Sequence, residues 1–237
     1  MKILIVFILL ISTIINARTM TLSDQSLSAK QKSIVVISAH TAKGDLIKLK
    51  TGLNAGLDAG LTINEIKEVI VHLYAYCGFP RSIRGLQTFM EVIDERKAKG
   101  INDKPGAEAS PINEEPDKYE RGKKVLGELT HAPQDRPLSG YGAFAPVIDI
   151  FLKEHLFADI FERDVLTYAQ RELVTISVLS AIGGAEPMLR GHLDICLNVG
   201  LTSKQLTEFV GIIRPAVGKE KAKAVKNVLD DVLDNKK

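Results

Sequence analysis

Two diverged copies of one segment lie in this chain, and the duplication restricts its possible folds more than any other feature. Leu57-Asp58-Ala59-Gly60-Leu61-Thr62 recurs as Leu197-Asn198-Val199-Gly200-Leu201-Thr202. Upstream, Ala29-Lys30-Gln31-Lys32 and Val35-Val36-Ile37-Ser38 run parallel to Tyr168-Ala169-Gln170-Arg171 and Val174-Thr175-Ile176-Ser177, the register shifting by one residue between the two stretches. Repeats take precedence over motifs because a missed repeat misreads the whole fold. Any active site is therefore to be sought through the pair of copies.

Each copy reads as helices. Residues 28–40 and 171–181 carry apolar side chains at helical spacing, and 46–59 and 188–199 form a second helix in each copy. Gly60 and Gly200 suit the left-handed position that closes a helix. Thr62 and Thr202 follow as N-caps, with Glu65 completing a capping box after Thr62. A third helix is expected over 63–76, broken by Gly78-Phe79-Pro80, and a fourth over 81–99. The stretch 100–116, rich in Gly, Pro, Asn, Asp and Glu, reads as a solvated connector. Beyond it come a short helix over 118–129, a Pro- and Gly-rich loop over 131–141 and an apolar helical segment over 144–164 with Phe151, Leu152, Leu156, Phe157 and Phe161. No alternating strand pattern occurs. Aromatics are scarce and Trp is absent, so the apolar content is mostly the Leu, Ile, Val and Ala that suit helix packing, and the expected class is all-α.

The first residues differ from the rest. Met1-Lys2 precedes an apolar run over 3–15, followed by Ile15-Asn16-Ala17 as a plausible cleavage point. That run is shorter than the roughly 20 residues a membrane-spanning helix needs. It reads as a signal peptide over 1–17, with export to a periplasmic or extracellular space and no membrane attachment after cleavage. The expected domains are a first unit over 24–100, a linker over 101–116 and a second, more complete unit over 117–237. A net charge of only +2 gives no nucleic-acid footprint. Cys77 and Cys196 each sit in an apolar helical pattern and read as small buried hydrophobes, although an oxidising compartment permits a disulfide. The five His are scattered with no His-x-x-x-His or Cys-x-x-Cys, so no metal is expected. There is also no phosphate-binding glycine loop and no Gly-x-Ser-x-Gly elbow.

Some residues stand out for their chemistry. Glu68, His72 and Tyr76 fall at i, i+4 and i+8, a column of carboxylate, imidazole and phenol on one helix face. Arg81 and Arg84 open the next helix and suit an anion. His192 lies near a helix start between Arg190 and Asp194.

The run from Asn64-Glu65-Ile66-Lys67-Glu68 through Tyr76-Cys77-Gly78-Phe79-Pro80-Arg81 resembles the carboxymuconolactone decarboxylase family, with its Gly-Leu-Thr cap, Glu-Ile-x-Glu helix and Tyr-x-Gly-x-Pro break. The second copy resembles other parts of that pattern: Arg171-Glu172-Leu173, then Glu186-Pro187-Met188-Leu189-Arg190-Gly191-His192, then Gly200-Leu201-Thr202. Tyr119-Glu120-Arg121-Gly122 is similar to the entry of a complete unit.

The resemblance implies tandem alkylhydroperoxidase D-like helical units. It also implies a cofactor-independent lyase of decarboxylase type acting on a small lactone or carboxylic acid. His192, Glu172 and Glu186 are the implied catalytic residues, and His72, Tyr76 and Arg81 are candidates for substrate binding. By analogy with ring-forming relatives, it implies a homo-oligomer, a trimer in particular. An alkylhydroperoxidase-like antioxidant role is the alternative. It is disfavoured because the two thiol positions counted back from His192 hold Met188 and Ala185. A non-catalytic binding protein is a further alternative, since the first copy lacks the Glu and His while the second has Ile213-Arg214-Pro215-Ala216-Val217 where the Tyr-x-Gly-x-Pro break is expected. One composite site per chain is expected, not two equivalent ones.

Overall fold

A computed structural model describes residues 26–236. The expected signal peptide lies outside them. Every regular element among the described residues is helical: α1 (Ala29–Lys43), α2 (Leu46–Asp58), α3 (Ile63–Ala98), α4 (Lys118–Thr130), α5 (Gly140–Phe144), α6 (Pro146–Phe151), a π-helical stretch (Leu152–Ile160), α7 (Tyr168–Ile182), α8 (Glu186–Asn198), α9 (Ser203–Val217) and α10 (Lys219–Asp234). No helix among them is long and apolar enough to cross a membrane.

The helix boundaries follow from local chemistry repeated in both copies. Ser28 and Thr167 start α1 and α7 with capping boxes closed by Gln31 and Gln170. Thr62 and Thr202 start α3 and α9 in the same way with Glu65 and Gln205. Each box satisfies two otherwise unpaired backbone donors. Gly60 (φ 90°) and Gly200 (φ 93°) take the left-handed turn between second and third helices. In both copies the following Leu N–H bonds back 2.9 Å to a helix carbonyl, Leu61 to Gly56 and Leu201 to Cys196.

The third-helix break is where sequence and structure differ. Gly78 (φ 79°, ψ 160°) kinks α3 before Pro80, whose ring cannot continue the hydrogen-bond ladder. The second copy keeps the same break at Gly218 (φ 89°, ψ 167°), between α9 and α10. The segment 213–217 is therefore the end of an intact third helix and not a replaced break. Only the Tyr and the Pro around the glycine have been lost.

The copies interlock. The two first helices, α1 and α7, pack on each other at the centre, while α3 crosses to α7 and α9 crosses to α1. One apolar core runs through both units, from Ile34, Ile37 and Leu53 to Leu173, Ile176 and Phe209. Burying such side chains supplies about 1.5–3 kcal/mol each. Even an ion pair is duplicated: Arg171 with Glu68 (2.8 Å) across one crossing, and Lys32 with Glu208 (2.7 Å) across the other.

The connector is largely exposed, and it is also strapped to the start of α3 and to Arg96. Carbonyls of Lys104 and Pro105 accept from Ile63 and Asn64 N–H at the start of α3, and Asn64 Nδ2 donates to Gly106, Ala107 and Glu108. Asp103 accepts two hydrogen bonds of 2.8 Å from Arg96. The apolar segment 144–164 is helical over most of its length, Pro146–Ile160, but is only partly buried. Leu156, Phe157 and Phe161 are buried under α4, but Phe144 and Phe151 are exposed and α6 buries none of its residues.

Candidate active site

Helix α7 is almost entirely buried and carries several polar residues in its interior, which is costly unless they are paired. Glu172 is fully buried, and its Oε2 accepts from Nδ1 of His192 on α8 at 2.8 Å. His192 is 15% exposed and has no other hydrogen bond, so Nε2 is the ring atom left for a ligand. Glu172 Oε1 is buried without any partner. His192 is thus the group that compensates this carboxylate.

A second polar chain comes from the first copy. Arg171, fully buried, donates to Glu68 Oε1 (2.8 Å), and Arg163 bonds the same carboxylate at 2.9 Å. Arg171 Nη1 lies 3.2 Å from His72 Nδ1. Guanidinium only donates, so His72 accepts at Nδ1, carries its proton on Nε2 and donates to Thr175 Oγ1 at 3.0 Å. The Thr175 hydroxyl in turn lies 3.3 Å from the Tyr76 hydroxyl. Burial, reinforced by the Arg171 and His192 charges, holds His72 well below the ordinary histidine range. Burial and then the Glu172 charge push the Tyr76 phenol up, so it stays a neutral hydroxyl.

The two chains meet at a cavity of about 710 Å³ lined by both Tyr76 and His192, whose rings are 6.1 Å apart edge to face. The π-helical stretch adds Lys153, Leu156 and Phe157 to the lining. Lys153 Nζ is held by Asp149 (2.8 Å) and the Tyr119 hydroxyl (3.0 Å). Another depression of about 700 Å³ passes Asn198, Ser203 and Asp230, with no imidazole in its wall.

Of the residues singled out from sequence, Glu172, His192, His72 and Tyr76 come together here. Glu186 does not: it opens α8, accepts from Gly184 N–H at 3.2 Å and lines a separate small depression instead of the cavity. Arg81 does not either. Its guanidinium lies over the left-handed turn at Gly44, where an added Cβ would sit 1.6 Å from Nη1, so it packs on the end of α1. Arg171, Thr175 and Lys153 were missed. The Glu68/His72/Tyr76 column announced a polar face, but its partners sit about a hundred residues away on α7.

The corresponding positions of the other crossing are Ser33, Gly52, Val36, Ile212 and Ala216. A Cβ on Gly52 would stand 3.2 Å from Val36 Cγ1, so the place taken by His192 in the second copy is closed by packing in the first. The thiols also lie apart from this chemistry. Cys77 and Cys196 are free, and burial pushes the first up to about 11 and the second well above its usual range, so both are protonated and poor nucleophiles. Among the described residues no group of three or more His, Cys, Asp or Glu converges in a way that would hold a metal ion.

Fold and site together define a tandem protein of the alkylhydroperoxidase D-like helical class, with one carboxylate–imidazole pair at a cavity. The chain belongs to the carboxymuconolactone decarboxylase family, which it matches over residues 11–89 and 148–231. It is similar to the 4-carboxymuconolactone decarboxylase of Acinetobacter baylyi, at 33% identity over 94 residues covering 39% of this chain and 69% of that protein. The second matched segment starts inside α6, so α4 lies outside it.

Proposed function

We propose that this chain is a cofactor-independent lyase of decarboxylase type, with His192 as its proton-transfer residue. The observation that carries this reading is the 2.8 Å bond from His192 Nδ1 to buried Glu172, which leaves Nε2 for a ligand in the cavity. Membership of the family and the likeness to a named decarboxylase support the reaction type.

In the proposed step, the C–C bond to a carboxylate breaks and carbon dioxide departs. The electron pair moves into a conjugated carbonyl as a dienolate, and His192, having taken a proton from water at Nε2, delivers it to carbon, so that one solvent proton is consumed for each carbon dioxide released. Glu172 accepts from Nδ1–H and so holds the ring with Nε2 free to carry the transferred proton. The neutral Tyr76 hydroxyl is suited to bond the carbonyl oxygen as it gains charge. A carboxylate about to lose its charge needs no tight cation, and the lining offers none without a partner.

The test is turnover of unsaturated carboxylated lactones by the wild type, His192→Gln and Glu172→Gln, with far-UV circular dichroism as the folding control. Losing a positioned acid–base group should lower kcat by about 10²–10⁴. Wild-type rates in the folded His192→Gln variant would reject the reading.

A further inference from the structure

The size and charge of the cavity carry more than the reaction type. At about 710 Å³ this open cleft has the volume of sites that take drug-sized ligands, far more than a compact lactone fills. Its wall is largely apolar, with Leu126, Leu156, Phe157, Leu179 and Ile195 inside. Met188 (51% exposed) and Tyr141 (63% exposed) make the mouth apolar as well.

The lining carries two basic side chains, and both are committed. Lys153, only 4% exposed, is neutralised by Asp149, and His192 is bound to Glu172. The arginines that a carboxylate-rich substrate would call for are engaged elsewhere, Arg81 over Gly44 and Arg190 with Asp231 at 2.6 Å. A second carboxylate held against the apolar wall would find no free cation there, which is unfavourable.

We propose that the cavity takes a carbonyl compound with a long apolar body and at most one carboxylate, its head at His192 and Tyr76 and its chain along the wall formed by α4, α8 and the π-helical stretch. The placement of the head rests on the proposed role of His192; the size and polarity of the body do not.

The probes are hexanoic, octanoic and decanoic acid, with hexanedioic acid as the dianionic control. Each is titrated into the purified protein by calorimetry below its micelle concentration. Affinity should rise about fourfold per added methylene, the equivalent of ~0.8 kcal/mol per buried CH₂. Hexanedioic acid should bind more weakly than hexanoic acid.

Gly191 lines the cavity, and a Cβ there meets nothing within 4 Å. Gly191→Phe should therefore fill the space and weaken decanoic acid at least tenfold without lowering Tm. Met188→Asp, in the first turn of α8 where an acid is favourable, should flatten the chain-length series as a second variant. A flat series in the wild type, hexanedioic acid binding as well as hexanoic acid, or decanoic acid unaffected in both folded variants would each overturn the proposal. A steep series together with undiminished turnover in His192→Gln rejects the lyase reading and leaves this one standing; turnover that His192→Gln abolishes, with a flat series, does the reverse.

Discussion

His72 shows how a single residue connects stability to the site. It is fully buried, accepts from Arg171 and donates to Thr175, so charging it in the folded state would break the first of these bonds and place two cations together. Its proton affinity is lowered by folding, so the unfolded chain binds the extra proton more readily. Stability is therefore complete above the unfolded value of about 6.5 and falls as the pH drops below it. His40, lowered mainly by burial, acts in the same direction. Glutamine at position 72 can keep both hydrogen bonds without titrating. We expect urea denaturation at pH 7 and pH 5 to show a smaller loss of stability in His72→Gln than in the wild type; equal losses would remove His72 from the acid response.

Among the elements, the contact of α4 with the π-helical stretch sets the shape of the cavity. An added Cβ on Gly122 would stand 1.7 Å from the Lys153 carbonyl oxygen, so glycine is what allows α4 to approach this backbone. Backbone cannot rotate away as a flexible side chain can. Gly122→Ala should therefore destabilise the protein by about 1–3 kcal/mol and displace the segment that carries Lys153, Leu156 and Phe157. A thermal melt reads the first effect, and weaker ligand binding in the folded fraction reads the second. An unchanged Tm would show that the π-helical stretch adapts at no cost. The connector is the contrasting case: its composition suggests loose chain, yet its carbonyls serve as the cap of α3. Such pairing is invisible to composition because the donors lie some forty residues upstream.

Over the whole molecule, the reciprocal crossing of α3 onto α7 and α9 onto α1 places residues of both copies in one core. Neither unit can lose its structure without exposing the apolar face of the other. We expect far-UV circular dichroism and tyrosine fluorescence to report one coincident urea transition for the full chain. Two separated transitions would mean that the units are independent domains. The same interlocking explains why one crossing holds a site and the other does not. A pair of helices needs only a packed contact to persist, and Gly52 against Val36 meets that need as well as Glu172 and His192 do.

What the sequence by itself determined was mostly local. The helix starts at Thr62 and Thr202, the turns at Gly60 and Gly200, and the break at Gly78 all depend on sterics and hydrogen bonds spanning a few residues, and those are written in adjacent letters. The duplication was legible for the same reason, down to the helical class of both units. The tertiary structure decided which polar residues meet. It joined Arg171 and Thr175 to His72, turned Arg81 toward Gly44, left Glu186 at its own turn and exposed the equivalent break at Gly218 behind a segment that had lost its flanking Tyr and Pro. These outcomes depend on how helices from different copies cross, and a crossing is set by the summed packing of a core that no short stretch of sequence contains.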